Sequence, residues 1–206
     1  DKFNVIVFAH NCKDNTAKIA RENGARVIEV NDADICKPSL GTNMKHGLDA
    51  LKKEGYKTEY FVLIDADNQI DKNYLKACNK AADDGVAVGR TFENSRNLTD
   101  NVISCMSGLW YIRDSRIACV GRSALRFGCV MNGPTSMIRS DLAFNWDALS
   151  NSEDLEFTLN RLIKDKMIVE YIDEAVLYED QPSTVKDCFV RNLRMGHGLH
   201  NLFWTK

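Results

Sequence analysis

Two carboxylates, Asp65 and Asp67, follow directly on the apolar run Tyr60–Ile64. A short and nearly continuous apolar run of this kind is typical of a strand that is buried on both faces. Acids placed at the end of such a strand lose solvation unless something positively charged binds beside them. This pair therefore restricts the possible folds and sites of the chain more than any other feature.

The other apolar runs repeat the character of the run before the acid pair. They are Val5–Phe8, Val27–Val30, Val86–Val88, Met167–Ile172 and Val176–Tyr178. Helical patterns separate the early runs and end at glycines suited to a C-cap, Gly24, Gly55 and Gly85. Further helices are predicted over about 98–127, from about 150, and over 184–202. Alternation of this kind predicts an α/β fold with a Rossmann-like, mostly parallel central sheet flanked by helices.

Length and composition exclude several classes of protein. The 206 residues fit a single domain, predicted to span 1–206, and the net charge of −2 does not favour a nucleic-acid partner. The cysteines number seven, are widely spaced and contain no CxxC, which disfavours a disulfide framework or a zinc site and fits a reducing cytosol. No apolar run reaches 18 residues, so the sequence predicts no transmembrane span. Because the chain begins at Asp1 rather than Met, we expect it to be an excised piece of a larger protein.

The position of the acid pair indicates a phosphate-bearing ligand. Ligands of open α/β sheets bind outside the carboxyl ends of the strands, and two hard oxygen ligands suit Mg²⁺ or Mn²⁺ carrying a phosphate. The alternative is that Asp67 and Asn68 only form a turn that Asp65 caps. Haloacid-dehalogenase-like phosphatases carry such a pair on their first strand, and nucleotidyltransferases carry an early glycine-rich loop that this sequence lacks. Neither GxGxxG nor a P-loop motif occurs.

Four segments, in order, resemble family 2 glycosyltransferases of the GT-A fold. The first, "VIVFAHNCKDNTAKIARENGARVIE", resembles their second strand–helix–strand unit, and "YFVLIDADNQIDKNYL" looks like their DxD strand. The segment "NSEDLEFTLNRLIKDKMIVEYIDEAVLYEDQP" is similar to their acceptor-side motif. The fourth, "RNLRMGHG", looks like a variant of the Q-x-x-R-W motif of the membrane-associated cellulose and hyaluronan synthase-like group. The first βα unit of the family would precede Asp1.

This resemblance implies a metal-dependent, inverting transfer of a sugar from a nucleotide-diphosphate sugar to an acceptor hydroxyl. Asp67 and Asp65 would hold Mn²⁺ or Mg²⁺, and Asp154, with Glu153 beside it, would be the catalytic base. We expect the dipole of the helix that starts there to lower the pKa of Asp154. The residues alone leave another interpretation open, in which Ser150 and Glu153 form a capping box.

The resemblance also implies the remaining contacts to the donor. Arg191 and Arg194 lie one helical turn apart and would clamp the diphosphate, the alternative being a solvated basic helix face. Gly133, in the loop "NGPTSM", would let the backbone approach a sugar closely. The family's base-reading Asp falls at Ala9 or His10, so His10 is a further candidate for nucleotide contact.

Departures from the family's pattern concern the acceptor and one phosphate contact. Thr42 lies near the position of a usual Lys or Arg, and Met195 replaces a Trp that walls the acceptor sugar, which favours single addition over processive synthesis. The resemblance implies a saccharide or lipid-linked acceptor and a parent protein on the cytoplasmic face of a membrane. The C-terminal helix, 184–206, would lie at that membrane interface, unless its apolar residues close the core. A degenerate domain that binds without turnover is the alternative function.

Overall fold

The computed structural model of the chain describes residues 3–31 and 39–204, apart from the side chains of Asn201 and Phe203. Cys36 and Pro38 lie outside the described residues. The elements in chain order are β1 (Ile6–His10), α1 (Thr16–Glu22), β2 (Arg26–Val30), α2 (Leu40–Lys53), β3 (Tyr60–Leu63), β4 (Gln69–Ile70), α3 (Tyr74–Asp83), β5 (Val88–Ser95), α4 (Val102–Arg113), α5 (Val120–Ala124), β6 (Ser136–Arg139), α6 (Ser140–Ala143), α7 (Glu153–Asn160), β7 (Glu170–Glu179) and α8 (Val185–Trp204). Short π-helical segments, Asp114–Cys119 and Arg161–Asp165, follow α4 and α7.

The strands form a parallel pair, β1–β2, and a five-stranded sheet in the order β3-β6-β5-β7-β4. In the larger sheet β6 is antiparallel to β3 and to β5, while β7 is parallel to β5. Strands β3, β5 and β7 therefore run in one direction, and β6 and β4 oppose them. The predicted α/β class, with a central sheet flanked by helices, is confirmed.

Two of the strands were missed and two predicted runs are one strand. Strand β6 is only four residues long and mixes polar with apolar side chains, and β4 is only two residues long, so neither has an apolar run. The runs Met167–Ile172 and Val176–Tyr178 were predicted separately, but β7 continues through the charged residues between them. An irregularity in its pairing with β5, between Thr91 and Phe92, lies opposite that charged segment.

The helix ends confirm the sequence signals more closely than the helix starts. Gly24, Gly55 and Gly85 all have positive φ, between 71° and 87°, which is the conformation that ends a helix and that glycine adopts at least cost. Helix α2 begins at Leu40, where Ser39 and Thr42 form a reciprocal capping box. The capping box predicted at Ser150 and Glu153 is wrong, because α7 begins only after Ser152.

The sheet is covered on both faces. Met137 and Ile138 are consecutive residues of β6, and they belong to different buried clusters because successive strand side chains point to opposite faces. The cluster around Ile138 contains Trp146 and Phe157, whose rings stack 4.7 Å apart. Phe157 belongs to α7, so this stack anchors the helix whose first residues are Glu153 and Asp154.

Helix α8 leaves most of its predicted apolar face outside the core. Leu202 is buried, whereas Val185, Phe189, Leu193 and Trp204 are exposed. The alternative that these residues close the core is therefore wrong for those four. No helix within the described part of the chain combines the length and apolar character needed to cross a bilayer.

Candidate active site

The acid pair lies at the carboxyl end of β3, as predicted. Asp65 follows the strand, Asp67 lies in the turn after it, and the backbone N–H of Asn68 donates to the carbonyl of Asp65 at 3.1 Å. A turn is therefore present, but it uses backbone groups and leaves the Asp65 carboxylate to other contacts. The pKa of Asp65 is raised, first by partial loss of solvent and then by the negative charges of Asp67 and Glu179. Such an excess of negative charge favours a bound cation.

Glu153 and Asp154 begin α7, and Glu153 lies within electrostatic reach of Asp65. Glu153 is buried, and burial together with the charge of Asp154 raises its pKa to about 8. The charge of Asp65 raises this pKa further, and that of Arg194 lowers it. The structure thus brings Asp65, Glu153 and Arg194 within electrostatic reach of one another, although they lie far apart in sequence.

The predicted lowering of the Asp154 pKa is wrong, because the net shift is upward. The Asp154 carboxylate does accept hydrogen bonds from the backbone N–H of Leu155, at 2.7 Å, and from that of Gly133. Burial outweighs these donors, and the pKa of Asp154 is raised above its ordinary value. A raised pKa makes this carboxylate a stronger base than a solvated aspartate would be.

The segment before α7 is held from three directions. The Glu156 carboxylate accepts from the backbone N–H groups of Leu149 and Ser150, at 2.9 and 2.8 Å. The start of α2 donates from the N–H of Gly41 to the carbonyl of Ser150 at 3.1 Å. Helix α8 packs so closely that a Cβ at Gly198 would lie 2.3 Å from the Ser152 Oγ. The position of Glu153 and Asp154 therefore depends on tertiary contacts.

Gly133 lies beside the acids of α7. A Cβ at Gly133 would be 3.6 Å from Glu153 Oε1, which is an ordinary van der Waals distance, and the close approach of a sugar to this glycine stays a prediction. Its neighbour Asn132 donates from its side-chain amide to the buried carboxyl of Glu93 on β5. Glu93 in turn shares a hydrogen bond with Glu179, and its pKa is raised far above the ordinary value, chiefly by burial and by that bond.

Glu93 and Glu179 are site residues that the sequence analysis missed. Two carboxylates can share a hydrogen bond only if a proton lies between them, so this pair adds less negative charge to the site than two free acids would. A signal existed for both. Glu93 and Arg90 are the two charged residues of the segment "VGRTFENS". Glu179 is an acid at the end of a strand, in "LYED", much as Asp65 is an acid just after β3.

The two arginines of α8 differ in their contacts. Arg191 is half-buried, donates to Gln181 Oε1 at 2.9 Å, and lies 5.0 Å from the centre of the Tyr111 ring. A solvated basic face is therefore wrong for Arg191, which ties α8 to α4. Arg194 is exposed, and its charge acts on Asp65 and on Glu153.

Two further candidates lie at the edge of this arrangement. His10 ends β1, in the two-stranded sheet, and is half-buried; its contact with a nucleotide stays a prediction. The Thr42 hydroxyl is engaged in the α2 cap, donating to the Ser39 carbonyl at 3.1 Å.

The acid pair fits a divalent cation that keeps positions open for phosphate. Among the described residues, no three His, Cys, Asp or Glu side chains converge to hold a metal ion by themselves. Asp65 and Asp67 nevertheless lie in an excess of negative charge, to which Glu179 contributes. Two carboxylates, with the remaining positions left to ligand oxygens, are a usual arrangement for Mg²⁺ and Mn²⁺ with nucleotides.

The sequence profile of a family described as "Glycosyltransferase like family 2" matches residues 1–198. No curated protein sequence matches the chain. Among solved structures, the chain is similar to glucosyl-3-phosphoglycerate synthase from Mycobacterium tuberculosis in complex with Mn²⁺, UDP and phosphoglyceric acid, with 14% identity, a TM-score of 0.61, and coverage of 96% of this chain and 66% of that one.

Two more complexes of that synthase have the same fold. With Mn²⁺, UDP-glucose and phosphoglyceric acid the TM-score is 0.56 at 15% identity, over 89% of this chain and 62% of that one. With Mn²⁺, UDP and glucosyl-3-phosphoglycerate it is 0.59 at 14% identity, over 96% and 68%. The chain thus spans about two-thirds of the length of these structures.

Proposed function

The chain belongs to the glycosyltransferase like family 2, and from this membership we propose that it moves a sugar from a nucleotide-diphosphate sugar to an acceptor hydroxyl with inversion. The observation that carries the proposal is that two acidic groups from distant parts of the chain lie within electrostatic reach of each other. Asp65 and Asp67 follow β3, Glu153 and Asp154 begin α7, and the charge of Asp65 acts on Glu153. One group suits the donor diphosphate and the other suits the acceptor hydroxyl.

On the donor side Asp65 and Asp67 would hold Mn²⁺ or Mg²⁺. The cation, when bound, neutralises the negative charge that grows on the departing diphosphate. Arg194 adds a positive charge from α8, and Arg191 holds that helix in place through Gln181. The complexes of the mycobacterial synthase with UDP, UDP-glucose and Mn²⁺ support a uridine-diphosphate sugar as the first donor to test.

On the acceptor side Asp154 would take the proton of the attacking hydroxyl. Its raised pKa suits a general base, and the Gly133 N–H holds its carboxylate. A base on the face of the sugar opposite the diphosphate leads to inversion. Glu153, with a pKa of about 8, stays mostly protonated at neutral pH and so adds little negative charge beside Asp154.

We further propose a relation to the cellulose and hyaluronan synthase-like group. The acceptor would be a saccharide or a lipid-linked saccharide, and the parent protein would lie on the cytoplasmic face of a membrane. The motif around Arg194 supports the relation. Met195, in place of the family's Trp, supports addition of a single sugar.

The alternative is a domain that binds a sugar nucleotide, or a protein partner, without turnover. It is favoured by Thr42, which occupies the region of a usual phosphate-binding Lys or Arg and whose hydroxyl caps α2. The presence of Asp65 and Asp67, together with Asp154 and Arg194, favours the enzyme.

Release of free nucleotide separates the two functions. The chain is incubated with Mn²⁺ and a panel of UDP-sugars in the presence of saccharide acceptors, and UDP release and UDP binding are measured separately. We expect release that falls sharply in Asp67→Asn and is unchanged in Asp83→Asn, which removes an exposed acid from α3. Binding without release would favour the non-catalytic domain, and release unaffected by Asp67→Asn would exclude the metal role of that residue.

A further inference from the structure

Helix α4 buries small side chains and exposes large apolar ones, which is the reverse of an ordinary surface helix. Its fully buried positions are the small residues Ser104 and Gly108, whereas its outward face consists of large apolar side chains. Val102 is 71% exposed, Met106 66% and Trp110 59%. A helix that meets water normally presents its polar side outward, so the outer side of α4 is suited to a surface other than water.

The outward apolar residues of α4 share one side of the helix. Val102, Met106 and Leu109 are spaced by four and three residues, which places them in one row, with Trp110 next to it. The chain continues through the π-helical segment into α5, where further large apolar residues are exposed. We call the whole set the outer face: Val102, Met106, Leu109, Trp110, Ile117, Val120, Leu125 and Phe127.

Basic residues border the outer face. Arg113 lies at the end of the α4 row, with its guanidinium 4.0 Å from the centre of the Trp110 ring. Arg122 and Arg126 are exposed near its other end. Within the described part of the chain, no carboxylate forms a salt bridge with any of these three arginines. The one acid of the segment, Asp114, is paired with the buried Arg90 at 2.8 Å.

We propose that the outer face binds the surface of a bilayer that contains anionic lipids, with α4 lying parallel to that surface. An apolar row bordered by arginines matches the boundary between acyl chains and negatively charged headgroups. Trp110, with its ring below a guanidinium, is suited to the headgroup level. The 12 residues of α4 extend only about 18 Å, which is too short to span a bilayer.

A second copy of this chain fits the outer face less well. A two-fold symmetric interface brings the same patch of both copies together. Arg113, Arg122 and Arg126 of both copies would then lie in one interface, and the segment's one acid, Asp114, is already paired with Arg90. Anionic headgroups supply the compensating charge, which the outer face lacks.

This inference goes beyond the proposed sugar transfer and does not depend on it, since none of the outer-face residues belongs to the candidate active site. The two are nevertheless close in space. Tyr111, on the inner side of α4, contacts Arg191 of the site. A bilayer on the outer side of α4 would therefore lie one helix away from Arg191 of the candidate site.

Co-sedimentation with lipid vesicles tests the proposal without any measurement of activity. The chain is mixed with vesicles of phosphatidylcholine alone, or with 30% phosphatidylserine or phosphatidylglycerol, and the bound fraction is measured at low and high salt. We expect binding to the anionic vesicles that weakens at high salt, because screening reduces the contribution of the arginines. A chain that stays in the supernatant with anionic vesicles would overturn the proposal.

Matched variants locate the binding on the molecule. Met106→Ser with Trp110→Ser should reduce vesicle binding at least ten-fold, whereas Ile19→Ser with Leu40→Ser, at two exposed apolar sites on α1 and α2, should leave it unchanged. Each of Arg113→Gln, Arg122→Gln and Arg126→Gln should weaken binding roughly five-fold. Equal binding of wild type and the Met106/Trp110 variant would contradict the proposal. So would a concentration-dependent dimer in vesicle-free solution that the same variant abolishes, since that outcome would assign the face to a second copy.

Discussion

The buried carboxyl of Glu93 accepts a hydrogen bond from the side-chain amide of Asn132, the residue before Gly133. Glu93 belongs to β5 in the middle of the sheet, and Asn132 begins the loop that donates to Asp154. Through Glu179, the same carboxyl is connected to the end of β7 beside Asp65. One buried side chain therefore connects the segment around Asp154 with the end of β7 beside Asp65.

Glu93→Gln should leave stability nearly unchanged at neutral pH. Burial and the hydrogen bond with Glu179 raise the pKa of Glu93, which favours the protonated carboxyl, and glutamine reproduces both the donor and the acceptor of a protonated glutamate. Glu93→Ala should lose about 1–3 kcal/mol, because Asn132 and Glu179 would lose a buried partner. Urea unfolding measures both. A Gln variant as unstable as the Ala variant would show that Glu93 is ionised in the folded protein.

The stability difference between Glu93→Gln and wild type should shift in favour of the variant as pH rises. A carboxyl whose pKa is higher in the folded state stabilises fully below its unfolded pKa, about 4.3, and this contribution is lost as pH rises through the folded pKa. Glutamine has no such dependence. Unfolding midpoints of both proteins between pH 5 and pH 8 measure the shift, and parallel curves would contradict the raised pKa.

Asp154→Asn should reduce kcat strongly, whereas Glu153→Gln should leave it nearly unchanged. We expect Asp154→Asn to reduce kcat about 10²–10⁴-fold because the proposed general base is removed, with little change in UDP binding. Glu153→Gln should retain most activity at pH 7, because a carboxyl with a pKa of about 8 is already mostly neutral there. If Glu153→Gln were the inactive variant and Asp154→Asn the active one, the roles of these two residues would be reversed.

Arg194→Gln should raise the KM for the nucleotide sugar about five- to ten-fold, because one charge-assisted contact to the diphosphate would be lost. Lys186→Gln removes a charge from an exposed position of the same helix and serves as the control. Steady-state kinetics of the two variants at one ionic strength separate a local contact from a general effect of charge. Similar KM values for both variants would exclude direct donor binding by Arg194.

Gly198→Ala and Gly196→Ala should affect stability in opposite directions, although both lie in α8. A Cβ at Gly198 would lie 2.3 Å from the Ser152 Oγ and would push α8 away from the start of α7, whereas no atom lies within 4 Å of a Cβ at Gly196. Gly196→Ala should stabilise the protein by about 0.5–1 kcal/mol through helix propensity. Gly198→Ala should destabilise it and lower activity, as thermal unfolding and UDP release would show. Equal melting temperatures of the Gly198→Ala and Gly196→Ala variants would mean that the Ser152 side chain rotates away without cost.

The sequence alone determined the α/β class, the glycine-terminated helices and the place of Asp65 and Asp67. These features are local: an apolar run, a positive-φ glycine or an acid at a strand end leaves its signal within a few residues. The same local signals misassigned Ser150 as a cap residue and missed β6, because a four-residue strand with mixed side chains differs little from a loop.

Only the tertiary structure decided the ionisation and the partners of the site residues. The sequence predicted a lowered pKa for Asp154 from its helix position, yet burial by distant parts of the chain raises it. The Glu93–Glu179 pair and the contact of Gly198 with Ser152 join residues separated by dozens of positions. The inverted face of α4 likewise became visible only with burial, since Ser104 and Gly108 pack inward against other elements. Desolvation and charge coupling depend on which groups meet in space, and this information is not contained in any single stretch of the sequence.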